Sequence, residues 1–124
     1  MVLIIGGAYQ GKLDFAKSTF DLSESDVFTC TGGEIDFSKL CIDHIEEFTL
    51  WCAQSGVDAV EFFRSCRERW QNSILICEDI SAGVVPLGAD MRAWRQMNGL
   101  LCRYLSGEAA QVSRLFCGLE ERLK

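Results

Sequence analysis

With 124 residues, of which 48% are hydrophobic and 24% charged, the chain has the length and composition of one soluble globular domain. Its formal net charge of −6 argues against a nucleic acid or an anionic membrane as a partner, because no surplus of basic residues is present to neutralise phosphates. No apolar stretch approaches the ~20 residues that cross a bilayer, and the first residues lack the basic region and cleavage site of a signal peptide. We therefore expect one cytoplasmic domain over residues 1–124, with no membrane span.

A phosphate-loop pattern lies near the start of the chain. An unbroken apolar run, Val2 to Ile5, predicts a strand buried on both faces of a parallel sheet. It leads into Gly6-x-x-x-x-Gly11-Lys12, a spacing that lets backbone N–H groups surround an anion while the lysine reaches the outer phosphates. Leu13 stands where Ser or Thr normally holds Mg²⁺, so we expect weak or lost metal coupling. The alternative is a glycine-rich turn that binds nothing.

Apolar runs separated by helical patterns continue along the chain. The predicted elements are a helix over 13–19, a strand over 27–30, a helix from 36 or 38 to 55, a helix over 57–71, a strand over 73–77, a helix over 91–105, a strand over 111–117 and a charged tail over 119–124. Strands that alternate with helices predict an α/β fold with an open, mostly parallel sheet flanked by helices, as in a small P-loop NTPase.

Seven cysteines are scattered through the chain without a C-x-x-C pair, and the chain has one histidine. This pattern fits neither a disulfide framework nor a zinc site. We predict that most of the cysteines are small buried apolar side chains in a reducing compartment.

Two consecutive acids, Glu78 and Asp79, follow the third predicted strand directly. The carboxyl ends of parallel strands are where open α/β sheets bind ligands, so this pair is a candidate Mg²⁺ site, with Asp79 also a candidate catalytic residue. The alternative is a helix cap or turn in a solvated loop.

Several stretches together carry a family resemblance. They are Gly6-Gly7-Ala8…Gly11-Lys12, Asp79-Ile-Ser-Ala-Gly-Val-Val-Pro86, Arg92-Ala-Trp-Arg95 with Gly99, and Leu115-Phe-Cys-Gly-Leu119. In these residues the chain resembles the bifunctional adenosylcobinamide kinase / adenosylcobinamide-phosphate guanylyltransferase family of cobalamin assembly. The resemblance is ungapped over about 74–105 and covers the first seventeen and last dozen residues. The middle, about 21–72, matches loosely, and the chain is shorter than the usual enzyme.

The resemblance implies a trimer of P-loop domains that phosphorylates the aminopropanol arm of a corrinoid with ATP or GTP. It also implies GMP transfer to that phosphate through a guanylylated histidine. The implied phosphate-binding residues are Gly6, Gly7, Gly11 and Lys12. Asp79 matches the acidic residue after the family's strand, and Arg92 and Arg95 match its helix. These two arginines lie three apart on one helical face and either bind phosphate or pair with the chain's acids.

The chain departs from the family at positions that carry chemistry. Leu13 replaces the metal-holding hydroxyl, Ser81 replaces a glycine and Cys102 replaces an amide, whereas Gly83 and Pro86 are kept.

The candidate for the nucleophilic histidine is His44, which lies among three acids, Asp43, Glu46 and Glu47. These acids should raise its pKa and repel a nucleotide, whereas guanylyl transfer needs a neutral imidazole and nearby cations. The alternative is a helix histidine at the surface.

Three hypotheses remain open at this stage. The first is a shortened transferase of the corrinoid pathway that still binds a nucleotide. The second is a non-catalytic paralogue that acts as a binding or regulatory partner in corrinoid metabolism. The third is a small P-loop-like module whose ligand is not a nucleotide. Fold alone does not separate them, because activity is a property of the site.

Overall fold

The computed structural model describes residues 1–80 and 88–124. The elements in chain order are β1 Val2–Gly6, α1 Lys12–Phe20, a 3₁₀ turn Glu24–Asp26, β2 Val27–Thr29, β3 Cys41–Asp43, α2 Ile45–Ser55, α3 Ala59–Ser65, α4 Arg67–Trp70, β4 Ile74–Glu78, α5 Ala89–Glu108, β5 Gln111–Phe116 and β6 Leu119–Arg122. Within these ranges the sheet has six strands, in the order β2-β3-β4-β1-β5-β6. Strands β1 to β5 run parallel, and β6 is antiparallel to β5. The predicted α/β architecture with an open, mostly parallel sheet is confirmed.

The sheet carries helices on both faces. Side chains of a strand alternate between the two faces, so neighbouring residues such as Leu3 and Ile4 belong to different cores, and both are fully buried. Ile4 packs in the core on the α1 side, together with Ala16 of that helix. Leu3 packs in the larger core on the other side, to which α2, α3 and α5 contribute. The central position of β1 therefore holds the loop that follows it between two helical layers.

The predicted helix over 36–55 is wrong in its first half. Residues Cys41–Asp43 form β3, a fully buried strand that pairs with β2 on one side and β4 on the other. The helix begins only at Ile45, after His44 turns the backbone at φ 56°. Asp36 does not cap a helix; its carboxylate accepts hydrogen bonds from the backbone N–H and hydroxyl of Ser38. Pairing with two distant strands outweighed the helical pattern, because a three-residue strand is too short to show its own periodicity.

Smaller corrections concern helix ends. The predicted helix over 57–71 begins after Asp58, whose carboxylate accepts from the N–H groups of Val60 and Glu61, and it breaks at Cys66 into α3 and α4. The long helix α5 begins after Gly88 rather than at an Asp90 cap, and it continues through Ser106-Gly107 to Glu108. Burial of Leu105 at this end offsets the ~1 kcal/mol that a helical glycine costs relative to alanine.

The predicted charged tail also proved to be ordered, because residues 119–122 pair with β5 as β6. All seven cysteines are free thiols, and four of them are buried, as predicted, whereas Cys117 is exposed. Burial raises the pKa of the Cys30 thiol and of the Cys41 thiol to about 12, which disfavours the thiolate that a nucleophilic cysteine needs. Within the described ranges, no helix combines the length and the apolar character that crossing a bilayer requires.

Candidate functional site

The loop between β1 and α1 depends on close backbone approaches. At Gly6 an added Cβ would lie 2.6 Å from the carbonyl oxygen of Leu115 on β5, so a side chain has no room there. The Gly6 carbonyl accepts a hydrogen bond from the N–H of Asp79 at 2.7 Å, which links the loop to the end of β4. Gly11 closes the loop with φ 87°, a conformation that glycine adopts at no steric cost. The motif therefore requires its two glycines for different reasons: Gly6 has no room for a side chain, and Gly11 adopts a positive φ.

Lys12 is the first residue of α1, and its ammonium group donates a hydrogen bond to the Gly7 carbonyl at 2.6 Å. The lysine thus folds back over the loop. Among the described residues, no side chain caps the N-terminus of α1, so the first-turn N–H groups keep their capacity to donate to an anion.

A cleft of about 560 Å³ opens between this loop and the carboxyl ends of β3 and β4. It is lined by Ala8, Tyr9, Gln10, Gly11, Lys12, Leu13, Asp14, Asp43, His44 and Glu78. Helix α1, which follows β1, packs on one face of the sheet, and α5 packs on the other. The adjacent carboxyl ends of β1 and β4 are therefore the place where open α/β sheets bind ligands.

Two carboxylates face this cleft from neighbouring strands. Asp43 ends β3 and Glu78 ends β4, and both lie on the face of the sheet that α1 covers. Asp43 is only 4% exposed. Burial raises the pKa of Asp43, and burial together with the charge of Glu46 raises the pKa of Glu78. Both groups are carboxylates whose ionised form a cation in the cleft would stabilise.

Asp43 is the site residue that sequence reasoning missed, since the predicted helix placed it only as a neighbour of His44. A signal was present. Leu40-Cys-Ile-Asp43 resembles Leu75-Ile-Cys-Glu78, since each is a short apolar run that ends in an acid.

His44 lines the same cleft, with a side chain that is 48% exposed. Its Nδ1 lies 2.7 Å from Oε2 of Glu46, and its Nε2 lies 3.7 Å from Oδ2 of Asp43. Although burial lowers the pKa of His44, the hydrogen bond to Glu46 and the charges of Asp43, Glu46 and Glu78 outweigh it and raise the pKa above 6.5. The acidic setting therefore raises the pKa of His44, as the sequence predicted.

The buried carboxylate of Glu46 links the end of β3 to the end of β4. This residue is 3% exposed; one of its carboxylate oxygens contacts His44, and the other accepts the N–H of Glu78 at 2.8 Å. Asn98 of α5 donates to the Glu78 carbonyl and accepts from the hydroxyl of Thr49. The ends of β3 and β4 are thus held by a satisfied buried network, which fixes the position of the cleft acids.

Glu78 and Asp79, the predicted acidic pair, line different cavities. Side chains of consecutive strand-end residues point to opposite faces, and Asp79 lines two smaller cavities on the α5 side instead of the cleft. Arg95 lines one of these cavities, whereas Arg92 lies one turn earlier on α5 with an exposed side chain. Ser81, Gly83 and Pro86 lie outside the described residues. In the described part of the chain, no three or more His, Cys, Asp or Glu side chains are grouped so that they could hold a metal ion.

Neither the protein-family models nor the curated proteins contain a match to the chain.

Proposed function

We propose that the cleft binds the phosphate groups of a nucleoside triphosphate, ATP or GTP. The observation that carries this proposal is the loop from Gly6 to Lys12, which follows the central strand β1 and brings Lys12 to the cleft. The loop leads into the N-terminus of α1, which no described side chain caps. Backbone N–H groups, a lysine and a helix dipole that converge on one cavity are the usual components of a phosphate site. On this proposal the domain belongs with the P-loop nucleotide-binding folds.

Charge decides how such a ligand would bind. Lys12 and the titratable His44 share the cleft with three acids, Asp14, Asp43 and Glu78. A polyphosphate alone would be repelled by these carboxylates, whereas a magnesium complex would be attracted to them. Mg²⁺ commonly binds through one or two protein carboxylates plus phosphate oxygens and waters, so the pair Asp43 and Glu78 fits it without a larger cluster. When bound, the metal supplies neutralisation of phosphate charge; Asp43 and Glu78 would hold it, and Leu13 offers it nothing.

Isothermal titration with ATP and GTP, with and without Mg²⁺, tests the proposal, and inorganic tripolyphosphate serves as a third probe. Leu13 by itself predicts weak or lost metal coupling, but Asp43 and Glu78 add two carboxylates to the cleft. We therefore expect binding of a triphosphate that is stronger with Mg²⁺. Absence of binding by all three probes in the presence of Mg²⁺ would reject a phosphate site.

The family resemblance extends the proposal to a reaction, phosphorylation of the aminopropanol arm of a corrinoid by a homo-oligomeric, trimeric enzyme. Consumption of ATP or GTP that depends on added adenosylcobinamide would support this reaction. A second candidate is a non-catalytic nucleotide-binding partner in corrinoid metabolism. It is favoured by Leu13 at the metal-holding position and by His44, whose imidazole is held by Glu46. Triphosphate binding without turnover would support this second candidate.

A further inference from the structure

A second cavity, of about 240 Å³, lies on the other side of the loop from the cleft. Gly6 and Gly7 form its backbone wall, and Gln10, Asp79, Arg114 and Phe116 contribute side chains. Its volume is below the ~300–1,000 Å³ typical of sites for whole drug-sized ligands, so it suits one ring system and not a complete nucleotide. Gln10 lines both this cavity and the cleft, which makes the two sites adjacent.

An exposed aromatic ring stands in this cavity. Phe116, at the end of β5, is 61% exposed, and the Arg114 guanidinium lies 6.0 Å from its ring centroid. The two residues are two apart on β5 and therefore share the face opposite to α1. A phenyl ring with an arginine beside it is a stacking surface for a planar ligand, and nucleobases stack well on such surfaces whatever their identity.

The cavity wall is held in place before any ligand arrives. The side-chain carbonyl of Gln10 accepts the N–H of Cys117 at 2.5 Å, and its backbone carbonyl accepts the N–H of Gly118 at 3.1 Å. These bonds fasten the phosphate loop to the turn between β5 and β6. Because the loop and the strand that carries Phe116 are already joined, a ligand that contacts both does not have to order them.

We propose that this cavity receives the heterocyclic base of the nucleotide whose phosphates bind in the cleft, with the base stacked on the Phe116 ring. The inference rests on the proposed function. Asp79 supplies a carboxylate at the cavity, and a carboxylate has enough lone pairs to accept a base N–H in addition to its existing partners. Gly6 and Gly7 present no side chains, so the ring can approach the backbone closely.

The test compares ligands that share phosphates and differ in the base. Affinities of ATP, GTP and inorganic tripolyphosphate, each with Mg²⁺, are measured for the unaltered protein and for Phe116→Ala. We expect Phe116→Ala to weaken the binding of at least one nucleotide by about tenfold and to leave tripolyphosphate affinity unchanged, in line with base stacking on an aromatic ring. Phe116→Tyr keeps a stacking ring and should retain the nucleotide affinity.

Leu123→Ala is the matched control, because Leu123 is also an exposed apolar residue of the C-terminal hairpin but its N–H bonds to Val112 near the other end of β5. Unchanged nucleotide affinity in Phe116→Ala, or an equal loss for tripolyphosphate, would overturn the inference. Either result would leave the phosphate site standing, whereas a protein that binds none of the three probes would contradict the proposed function itself.

Discussion

The Nδ1 atom of His44 lies 2.7 Å from Oε2 of Glu46, a carboxylate that is almost completely buried. Because the other oxygen of Glu46 accepts the N–H of Glu78, the carboxylate cannot turn away from the histidine without losing that bond. This contact connects the mouth of the cleft to its interior, and it raises the pKa of the imidazole.

The first prediction concerns that pKa. We expect Glu46→Gln to lower the pKa of His44, since it removes the hydrogen-bonded negative charge that raises the pKa. NMR titration reports this directly, because His44 is the one histidine of the chain. Glu47→Gln is the control, an adjacent acid that should change the pKa less. An unchanged pKa in Glu46→Gln would show that the contact does not control the imidazole.

The raised pKa of His44 also affects the stability of the fold. A histidine whose folded pKa is raised contributes stability that is fully present below its unfolded pKa of about 6.5 and is lost as the pH rises through the folded value. We therefore expect the stabilisation by the His44–Glu46 pair to decrease as the pH rises through the folded pKa of His44. Chemical denaturation of the unaltered protein and Glu46→Gln at several pH values would measure it.

A second prediction concerns the buried acid at the end of β3. Burial raises the pKa of Asp43, so its ionised form costs stability at neutral pH. Asp43→Asn can still accept the N–H of His44 through its amide oxygen, and we expect it to raise the melting temperature at pH 7 by a few degrees. The gain should disappear below the ordinary carboxyl pKa of 3.8, where aspartate is neutral in both states.

Asp43→Asn should at the same time reduce the dependence of nucleotide binding on Mg²⁺, because it removes one of the two cleft carboxylates. Higher stability with undiminished metal dependence would mean that Asp43 is a structural acid only.

A third prediction concerns the lysine of the loop. We expect Lys12→Ala to weaken triphosphate binding by about tenfold or more, since hydrogen bonds to charged groups contribute roughly 1.5–3 kcal/mol. Lys39→Ala is a suitable control, because Lys39 donates to the Ser25 carbonyl in the segment before β3, away from the cleft. Calorimetric titration compares the two. Equal affinities in both variants would remove Lys12 from the binding site.

A fourth prediction concerns the residue after that lysine. Leu13→Ser should increase the Mg²⁺ dependence of nucleotide binding if the loop geometry is intact, because it restores a hydroxyl at the metal-holding position. Leu13 is half-buried and packs beside the core under α1, so its truncation should cost about 1–2 kcal/mol, less than the ~2–5 kcal/mol of a fully buried leucine.

Leu13→Ala is the matched control, since it removes the same packing without adding a hydroxyl. The prediction fails if the serine and alanine variants show the same response to Mg²⁺.

A fifth prediction concerns covalent chemistry. Incubation with labelled GTP and Mg²⁺ should leave no acid-labile label on the protein, because the Glu46 and Asp43 carboxylates favour the imidazolium form of His44 and so deplete the nucleophile. Stoichiometric labelling that is lost in His44→Ala would contradict this and assign guanylyl transfer to the chain.

The sequence by itself determined the parts of the fold that local patterns encode. The apolar run before Gly6 and the one before Glu78 became the central strands β1 and β4, and the glycine spacing became the loop that leads into α1. These features are readable because a strand buried on both faces needs a continuous apolar run, and a tight loop needs glycines at its ends.

Only the tertiary structure decided which acids share a site. Asp43 reaches the cleft because three residues pair with two strands that are distant in sequence, and such a pairing leaves no local period to read. Glu78 and Asp79 are adjacent in sequence but line different cavities, because successive side chains at a strand end point to opposite faces of the sheet. Local sequence patterns determined β1, β4 and the loop that carries Lys12, whereas non-local strand pairing decided which acids line the cleft with Lys12.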